Sequence, residues 1–437
     1  MTTGSSDSPE ASDDDVEIAQ VLVALNMPAG GVPDVVVDER GLVRAAESLA
    51  AGTGPVAIDA ERASGYRYGQ RAYLIQIRRE GSGTWLVDPI ACPDLSPIAD
   101  AITGIEWILH AANQDLPCLA EVGLSPTRLF DTELAGRLIG LPRVGLAAVV
   151  EHYLGLTLAK EHSAVDWSIR PLPEPWLRYA ALDVELLGQV RDLMADDLAS
   201  QDKMSWAEQE FDSLTRFTGP PARVEPWRRT SGMHKVRNRR GAAMVRELWQ
   251  TREEIAVERD VSPGRIVPDA ALIELAIRSP KTGTDIPDGP GARSVRRYQR
   301  HLFAALDRAR HLPESDLPTL TRRADGPPPA RAWRDRDPVA AARLAQARAA
   351  LGEFAQAHSI PIENVLSPDS IRRVLWSPPP DPTLESVTEV LLAMGARQWQ
   401  IDIAGPMLEA SINRPVEPTV EVAAEVTGGV TAEVTGE

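Results

Sequence analysis

Three short acidic motifs place the strongest constraint on how this chain can fold. Asp59 and Glu61 lie in V-A-I-D-A-E, Asp115 lies in H-A-A-N-Q-D-L, and Tyr179 and Asp183 lie in Y-A-A-L-D. Alternating side chains place the first two acids on one face of a short apolar strand. Tyr179 and Asp183 are four residues apart in a predicted helix, so they share a helix face. Because a carboxylate beside packed apolar residues is costly unless it is paired or metal-bound, the motifs predict a shared acidic site.

The four carboxylates and the phenol indicate a site for two divalent metal ions. Mg²⁺ and Mn²⁺ favour carboxylate oxygens as ligands. Two such ions, about 3.5–4 Å apart, can activate a water and neutralise the leaving oxygen during phosphodiester hydrolysis. His110 is predicted to be structural, because an all-carboxylate site suits these ions better than an imidazole-rich one.

Each motif alone also fits an ordinary structural role. Asp59 and Glu61 could be exposed acids at a strand end, and Asp183 could be a solvated helix acid. Asp115 could cap the helix that follows it, unless Asn113 is the cap and Asp115 faces the metals. The occurrence of all three motifs in this order favours the metal site.

In these motifs the chain resembles the ribonuclease D family, within the DEDD superfamily of 3′→5′ exonucleases, tyrosine subtype. The resemblance covers roughly Val37 to Leu198, and a weaker resemblance to HRDC domains follows downstream. It rests on matching residues in that span: Asp59-Ala60-Glu61, Asp115, Asp131-Thr132, Lys160-Glu161-His162-Ser163, Asp166-Trp167, and Tyr179 with Asp183. The family implies an α/β ribonuclease-H-like exonuclease domain, with a mixed sheet flanked by helices, followed by all-α HRDC-like domains.

The resemblance also implies a role for each residue of the acidic site. Asp59 would bridge two divalent metal ions, Mg²⁺ or Mn²⁺. Glu61 and Asp183 would complete the coordination of the ion that binds the attacking water. Asp115 would hold the second ion, largely through its waters, and Tyr179 would orient the attacking water.

The net charge of −17 is unevenly distributed along the chain. Residues 1–20 contain six acids and no Lys or Arg, whereas residues 216–252 contain ten Lys or Arg and two Glu. The overall acidity therefore does not exclude a polyanionic ligand. The candidates for nucleic-acid contacts lie in the loop after the first motif and in the basic stretch: Tyr66, Arg71, Arg228, Arg229, Lys235, Arg237, Arg239 and Arg240. The alternatives are a solvated turn and a solvated charge run.

Three further residues could line a substrate channel: Lys160, His162 and Trp167. A structural role fits Trp167 at least as well.

The cysteine content and the hydropathy bound the class of protein. With only two cysteines, neither a disulfide framework nor a four-thiolate zinc site is expected. No stretch is long enough to span a bilayer, and the N-terminus carries acids where a signal peptide carries basic residues. We therefore predict a cytoplasmic protein that binds a single-stranded RNA 3′ end, with DNA as another possible ligand and no membrane partner.

The length of 437 residues predicts several domains rather than one core. The predicted segments are a disordered acidic segment at 1–31, an exonuclease domain at 32–213, a basic linker at 214–240, an HRDC domain at 241–311, a Pro/Arg-rich linker at 312–338, a second HRDC-like helical domain at 339–408, and a disordered acidic tail at 409–437. Within them, short helices are predicted around Val16–Leu25 and Val144–Leu154, and a long one at Pro175–Met194.

Together these features predict a metal-dependent 3′→5′ exoribonuclease that releases 5′-nucleotides from RNA. Two alternatives remain open at this point. One is the same chemistry on DNA, as in repair exonucleases, and the other is an inactive fold that only binds RNA. The presence of all four expected metal ligands counts against the inactive fold.

Overall fold

The computed structural model divides the chain into two compact units, residues 1–320 and 321–437. It describes residues 22–158, 164–286, 288–320 and 326–414. The first unit contains a mixed α/β domain and a helical domain, and the second unit is helical.

A six-stranded mixed sheet organises the α/β domain. The strands of this domain are β1 (Val23–Leu25), β2 (Val35–Val36), β3 (Thr53–Arg62), β4 (Ala72–Glu80), β5 (Gly83–Val87), β6 (Glu106–Leu109), β7 (Arg128–Asp131) and β8 (Leu156–Leu158). The six-stranded sheet has the order β2-β5-β4-β3-β6-β7, while β1 and β8 form a separate parallel pair. The β3-β4-β5 meander is antiparallel, and β6 and β7 add to it in parallel. The longest strand, β3, therefore lies inside the sheet.

Eight helices accompany the strands of this domain within the described residues. They are α1 (Glu39–Ala51), α2 (Ser96–Ala101), α3 (Leu116–Ala120), α4 (Thr132–Ile139), α5 (Leu146–Leu154), α6 (Glu174–Glu185), α7 (Leu187–Ser200) and α8 (Met204–Thr215). Helix α1 begins where the Asp38 carboxylate accepts the Gly41 N–H at 2.7 Å. It ends at Gly52, where a Cβ would lie 2.9 Å from the Glu80 carbonyl, so only glycine allows α1 to turn directly into β3.

Helix α6 packs across strands β3, β4 and β5. Its Ala180 and Ala181 are fully buried, and these small side chains let the helix approach the apolar face formed by Leu74 and Leu86. Each fully buried leucine contributes roughly 1.5–3 kcal/mol relative to exposure. This packing fixes α6 over the sheet face that carries the first acidic motif.

The helical domain of the first unit consists of α9 (Arg239–Arg259), α10 (Pro263–Ile266), α11 (Asp269–Arg278), α12 (Ala292–Arg297) and α13 (Gln299–His311). Its core includes Trp227, which is only 3% exposed. Trp227 lies in the segment 214–240 that was predicted as a linker. That prediction is wrong for this part of the segment, because the burial of one large aromatic ring attaches it to the domain.

The second unit consists of α14 (Trp333–Arg336), α15 (Pro338–Ala357), α16 (Ile362–Val365), α17 (Pro368–Trp376), α18 (Leu384–Ala393) and α19 (Gln398–Asn413). Trp333 is fully buried here, and its ring centroid lies 4.9 Å from that of Trp376. The predicted linker 312–338 therefore contributes an anchor to this unit, which its Pro/Arg composition did not indicate. The prediction of a disordered tail from residue 409 is wrong at its start, because α19 continues to Asn413. The other predicted domain boundaries stay predictions.

Two predicted helices differ from the structure. The segment Val23–Leu25 is a strand that pairs with Leu156–Leu158, so the predicted helix over Val16–Leu25 is wrong for these three residues. The predicted disorder is also wrong for residues 22–31, which the structure describes. Residues 1–21 and 415–437 lie outside the described residues. The helix predicted at Pro175–Met194 is two helices that meet at Leu186, whose φ of −108° and ψ of −4° depart from helical geometry. Among the described residues, none of the helices combines the length and the apolar content that crossing a bilayer requires.

Candidate metal centre

Strand β3 and helix α6 bring three carboxylates together. One oxygen each from Asp59, Glu61 and Asp183 lie within 4.8 Å of one another. Asp59 and Glu61 point to the same face because they are two residues apart in a strand. Asp183 reaches them from the helix packed on that face. Three convergent carboxylates form an all-oxygen donor set that fits Mg²⁺ or Mn²⁺.

Tyr179 lies one helical turn before Asp183 and hydrogen-bonds to its carboxylate. Burial raises the pKa of the Tyr179 phenol, and the neighbouring Asp183, Glu61 and Asp59 carboxylates raise it further. The phenol therefore keeps its proton at neutral pH. A protonated phenol can orient a neighbouring group through hydrogen bonds but does not act as a base.

The charges of the acidic residues destabilise one another when no cation is present. Burial raises the pKa of Asp59 to about 6, while a backbone hydrogen bond and Arg62 oppose this rise. Burial is also the main cause that raises the pKa values of Glu61, Asp115 and Asp183, and neighbouring carboxylates add to it. A bound cation would favour the ionised forms and lower these pKa values. The electrostatics of the site thus fit a metal.

Asp115 lies near this group but outside the tight set of three. Its carboxylate is buried and lies 3.6 Å from the guanidinium of Arg62. It stands at the start of α3 and makes no capping hydrogen bond there. Asn113 lies within a short 3₁₀ turn, so the alternative in which Asn113 caps the following helix does not hold either. The 3₁₀ turn of residues 112–114 directly precedes Asp115, so Asn113 is not the residue that borders α3.

Arg62 is a residue of the site that the sequence analysis missed. It interacts favourably with Asp59, Glu61 and Asp115, which makes it a cation beside three carboxylates of the site. Strict alternation would point Arg62 away from the face of Glu61. A register shift between Glu61 and Arg62 breaks this alternation at the end of β3. The only sequence signal was an arginine directly after the acidic pair.

Asp131 fixes the turn that leads to Asp115. Its carboxylate accepts the N–H groups of Ala111 and Ala112 at 3.1 and 2.8 Å, and those of Glu133 and Leu134 at 2.9 and 3.1 Å. Ala111 has a left-handed φ of 59°, which is unfavourable for a residue with a side chain. The four hydrogen bonds to Asp131 stabilise this conformation and join the turn to α4.

His110 lies at the end of β6 and contacts Thr132 rather than the acidic group. Its Nδ1 lies 2.9 Å from the Thr132 Oγ1, and burial lowers its pKa to about 4. The imidazole is therefore neutral at neutral pH. This arrangement fits the predicted structural role.

The residues predicted to line a substrate channel, and Arg71, which was predicted to contact nucleic acid, have different environments. Trp167 is fully buried against Trp176, which supports its structural role rather than a channel role. Arg71 is exposed, and its guanidinium lies 5.4 Å from the Tyr73 ring centroid. Lys160 and His162 lie outside the described residues.

Half of the basic stretch serves the helical domain itself. Arg228 pairs with Glu225 at 2.8 Å and lies over the Trp227 ring. Arg239 and Arg240 donate to backbone carbonyls at and beyond the end of α13. The side chains of these three arginines therefore bind other groups of the same domain. The number of basic residues in the stretch did not indicate this. The remaining predicted contacts in this stretch are exposed: Arg229, Lys235 and Arg237.

Family models match three parts of the chain. Residues 33–199 match the model described as a 3′-5′ exonuclease, and residues 242–306 match the HRDC domain. Residues 326–412 match the model described as a 3′ to 5′ exonuclease C-terminal domain. The last match covers the segment predicted as a second HRDC-like domain.

A relative from Jannaschia sp. (strain CCS1), named ribonuclease D, is 31% identical over 281 residues. The match spans 61% of this chain and 71% of that relative. The chain belongs to the ribonuclease D family. Together with the exonuclease match, this confirms the predicted family and the prediction of a 3′→5′ exonuclease.

Solved structures agree with the ribonuclease D fold. A protein from Bifidobacterium adolescentis is 36% identical, with a TM-score of 0.81, and the match covers 90% of this chain and all of that one. The Escherichia coli RNase D, described as an exoribonuclease involved in structured RNA processing, is 24% identical with a TM-score of 0.64. That match covers 87% of this chain and 98% of the other. At this sequence identity it supports a shared fold only. The predicted fold class, a ribonuclease-H-like domain followed by helical domains, is confirmed.

Proposed function

We propose that this ribonuclease D family member removes 5′-nucleotides one at a time from RNA 3′ ends, with two divalent ions, Mg²⁺ or Mn²⁺. The observation that carries the proposal is the convergence of Asp59, Glu61 and Asp183, with Tyr179 hydrogen-bonded to Asp183.

Asp59, Glu61 and Asp183 would hold the metal, with Asp115 nearby as a fourth acidic ligand. When bound, two such ions supply an activated water and neutralise the charge that develops on the leaving oxygen. The Tyr179 hydroxyl would orient the attacking water, because its raised pKa keeps it protonated and its partner Asp183 fixes its position. No separate strong base is required of the chain.

Arg62 would compensate the acidic charge around Asp115. Its guanidinium holds the Asp115 carboxylate when no ion does so, and it can also approach a phosphate of the substrate. Arg62 therefore limits carboxylate repulsion without occupying the cluster of Asp59, Glu61 and Asp183.

RNA is the substrate that family membership supports best. A ribonuclease D relative aligns over most of its length, which favours RNA over the DNA alternative. The retained carboxylates count against an inactive binding module. We expect a single-stranded 3′ end, since a terminal nucleotide must unpair to reach buried carboxylates.

The test compares RNA oligomers labelled at the 3′ or 5′ end with a DNA oligomer of the same sequence and a blunt RNA duplex. With Mg²⁺ or Mn²⁺, the first labelled product of the 3′-labelled RNA should be a mononucleotide. The 5′-labelled RNA should shorten by one nucleotide at a time. A chelator should abolish both products. Faster digestion of DNA would favour the DNA alternative, and initial loss of the 5′ label would contradict the proposed direction.

A further inference from the structure

The first helical domain holds the loop that directly follows the acidic strand. Residues 63–71 connect β3 to β4, and the turn between α9 and α10 contacts this loop. The two segments are about 200 residues apart in sequence. They nevertheless belong to the same compact unit.

Arg265 and Ser262 bind the backbone of the loop. The Ser262 N–H donates to the Tyr66 carbonyl at 3.0 Å, and the Arg265 Nε donates to the Gly65 carbonyl at 2.8 Å. The Arg265 guanidinium also lies 4.1 Å from the Tyr66 ring centroid. A cation–π contact at an exposed site contributes about 0.5–1 kcal/mol. Backbone and ring are thus held by the same arginine.

Asp260 makes a second set of contacts from the C-terminus of α9. Its carboxylate accepts the Tyr68 N–H at 3.3 Å and lies 3.7 Å from the Arg67 guanidinium. The Tyr68 hydroxyl also hydrogen-bonds to Glu253. Individually these exposed contacts are weak. Together they restrain four consecutive loop residues, 65–68.

The same loop also contacts the segment that leads to the acidic helix. The Arg67 Nε donates to the Ser168 Oγ at 2.8 Å, and Ser168 precedes α6 by six residues. On the other side, the chain from Glu61 to Gly65 spans at most about 14 Å at roughly 3.5 Å per residue. The loop therefore connects to both elements that carry the carboxylates, β3 and α6.

We propose that Asp260 and Arg265 are positioning residues for hydrolysis. By fixing residues 65–68, they hold the end of β3 and the segment before α6 in the geometry that aligns the carboxylates. The inference rests on the proposed function. It assigns the helical domain an effect on the rate of the reaction that does not require the domain to touch the substrate.

Steady-state kinetics of the full-length Arg265→Ala and Asp260→Ala variants test this inference. Arg297→Ala is the matched control, because Arg297 lies 5.6 Å from the Tyr298 ring centroid within the helical domain and carries the same charge. The substrates are an RNA dinucleotide, which is too short to extend along a helical domain, and a single-stranded 20-mer. Since small misplacements of a reacting group can cost about 100-fold in rate, we expect kcat on the dinucleotide to fall at least about tenfold in both variants. KM should change little, and Arg297→Ala should match wild type on the dinucleotide.

The Tyr66→Ala/Arg265→Ala double variant adds a readout of coupling. If Arg265 acts through the loop, the two substitutions should lower kcat by less than the product of their separate effects. Amide hydrogen exchange of Tyr68 should accelerate in Asp260→Ala.

Different results would overturn the inference or the proposed function. Wild-type kcat on the dinucleotide, with a higher KM on the 20-mer alone, would show that the helical domain acts by binding the strand. A wild-type enzyme without activity on either substrate would contradict the proposed function. Hydrogen exchange then still tests the contact, and unchanged exchange of Tyr68 in Asp260→Ala would overturn the inference.

Discussion

At the scale of single residues, the acidic site buries carboxylate charges that lie close together, and a cation would relieve the cost of ionising them. In the metal-free protein the pKa of Asp59 is raised to about 6, and those of Glu61, Asp115 and Asp183 are raised as well. A carboxyl group whose pKa is higher in the folded state than in the unfolded state favours folding at low pH. Its full contribution to stability is present only below the pKa of the unfolded state, near 4. For Asp59 this stability is lost as the pH rises through about 6.

The Asp183→Asn variant should therefore be more stable than wild type at pH 7 to 8 without metal. Because burial and neighbouring carboxylates raise the pKa of the Asp183 carboxyl, its ionisation costs folded stability, and we expect a gain that fades towards pH 4. Denaturant unfolding at several pH values in chelator measures it. Mg²⁺ should stabilise wild type at pH 8 and have much less effect on the variant. A variant that is less stable than wild type at every pH would contradict the claim that the ionised Asp183 carboxylate destabilises the fold when no metal is bound.

Tyr179→Phe should lower the single-turnover rate and leave metal binding nearly unchanged. Only the hydroxyl next to Asp183 is lost, and misplacement of a reacting group can cost about 100-fold in rate. Rapid-quench kinetics with saturating RNA measure the rate, and a melting curve checks the fold. A rate equal to that of wild type would assign Tyr179 to packing.

At the scale of secondary structure, the sequence predicted the elements that carry the site. The period of two identified the common face of Asp59 and Glu61, and the spacing of four identified that of Tyr179 and Asp183. The position of Arg62 was not predictable, because a local register shift interrupts the strand pairing between Glu61 and Arg62. The contact between residues 65–68 and Arg265 was not predictable either, because it joins segments about 200 residues apart. Local patterns contain no information about such contacts.

The junction of β7 and α4 gives a prediction at this scale, because Asp131 joins it to the turn before Asp115. Asp131→Asn replaces one acceptor oxygen by a donor that faces backbone N–H groups. Since an unpaired buried polar group costs about 1–3 kcal/mol, we expect a loss of about 1–3 kcal/mol in the free energy of unfolding. Denaturant unfolding measures this loss.

Glu133→Gln is the control for Asp131→Asn. Glu133 pairs with Arg137 at 2.6 Å near the surface, so its neutralisation should cost less than about 1 kcal/mol. Equal stability losses in the two variants would show that Asp131 has no special part in holding the turn.

At the scale of the whole molecule, the first unit contains both the carboxylates and the helical domain that contacts the loop at residues 65–68. Composition predicted which segments are domains and which are linkers. It could not show that two residues of the predicted linkers, Trp227 and Trp333, are buried in the helical domains. A basic, proline-containing segment looks like a linker, whereas burial of its one tryptophan depends on the tertiary fold.

A chain that ends at Leu320 should keep the wild-type rate on an RNA dinucleotide. Both the carboxylates and their supporting contacts lie before this residue, whereas a chain that ends near Arg216 loses the contacts to residues 65–68 and should be slower. Kinetics of the two truncated proteins, with melting curves to confirm folding, measure the difference. Equal rates of the two would indicate that the helical domain serves strand binding alone.

The most direct test of the metal centre is a Mn²⁺ titration followed by electron paramagnetic resonance, with wild type, Asp183→Asn and the control Asp192→Asn. Asp192 is an exposed acid on α7, with 71% of its side chain accessible, so it controls for the change of charge. We expect two Mn²⁺ ions per chain in wild type and in Asp192→Asn, and the loss of at least one ion in Asp183→Asn. Wild-type binding by Asp183→Asn would contradict the assignment of Asp59, Glu61 and Asp183 as the metal centre.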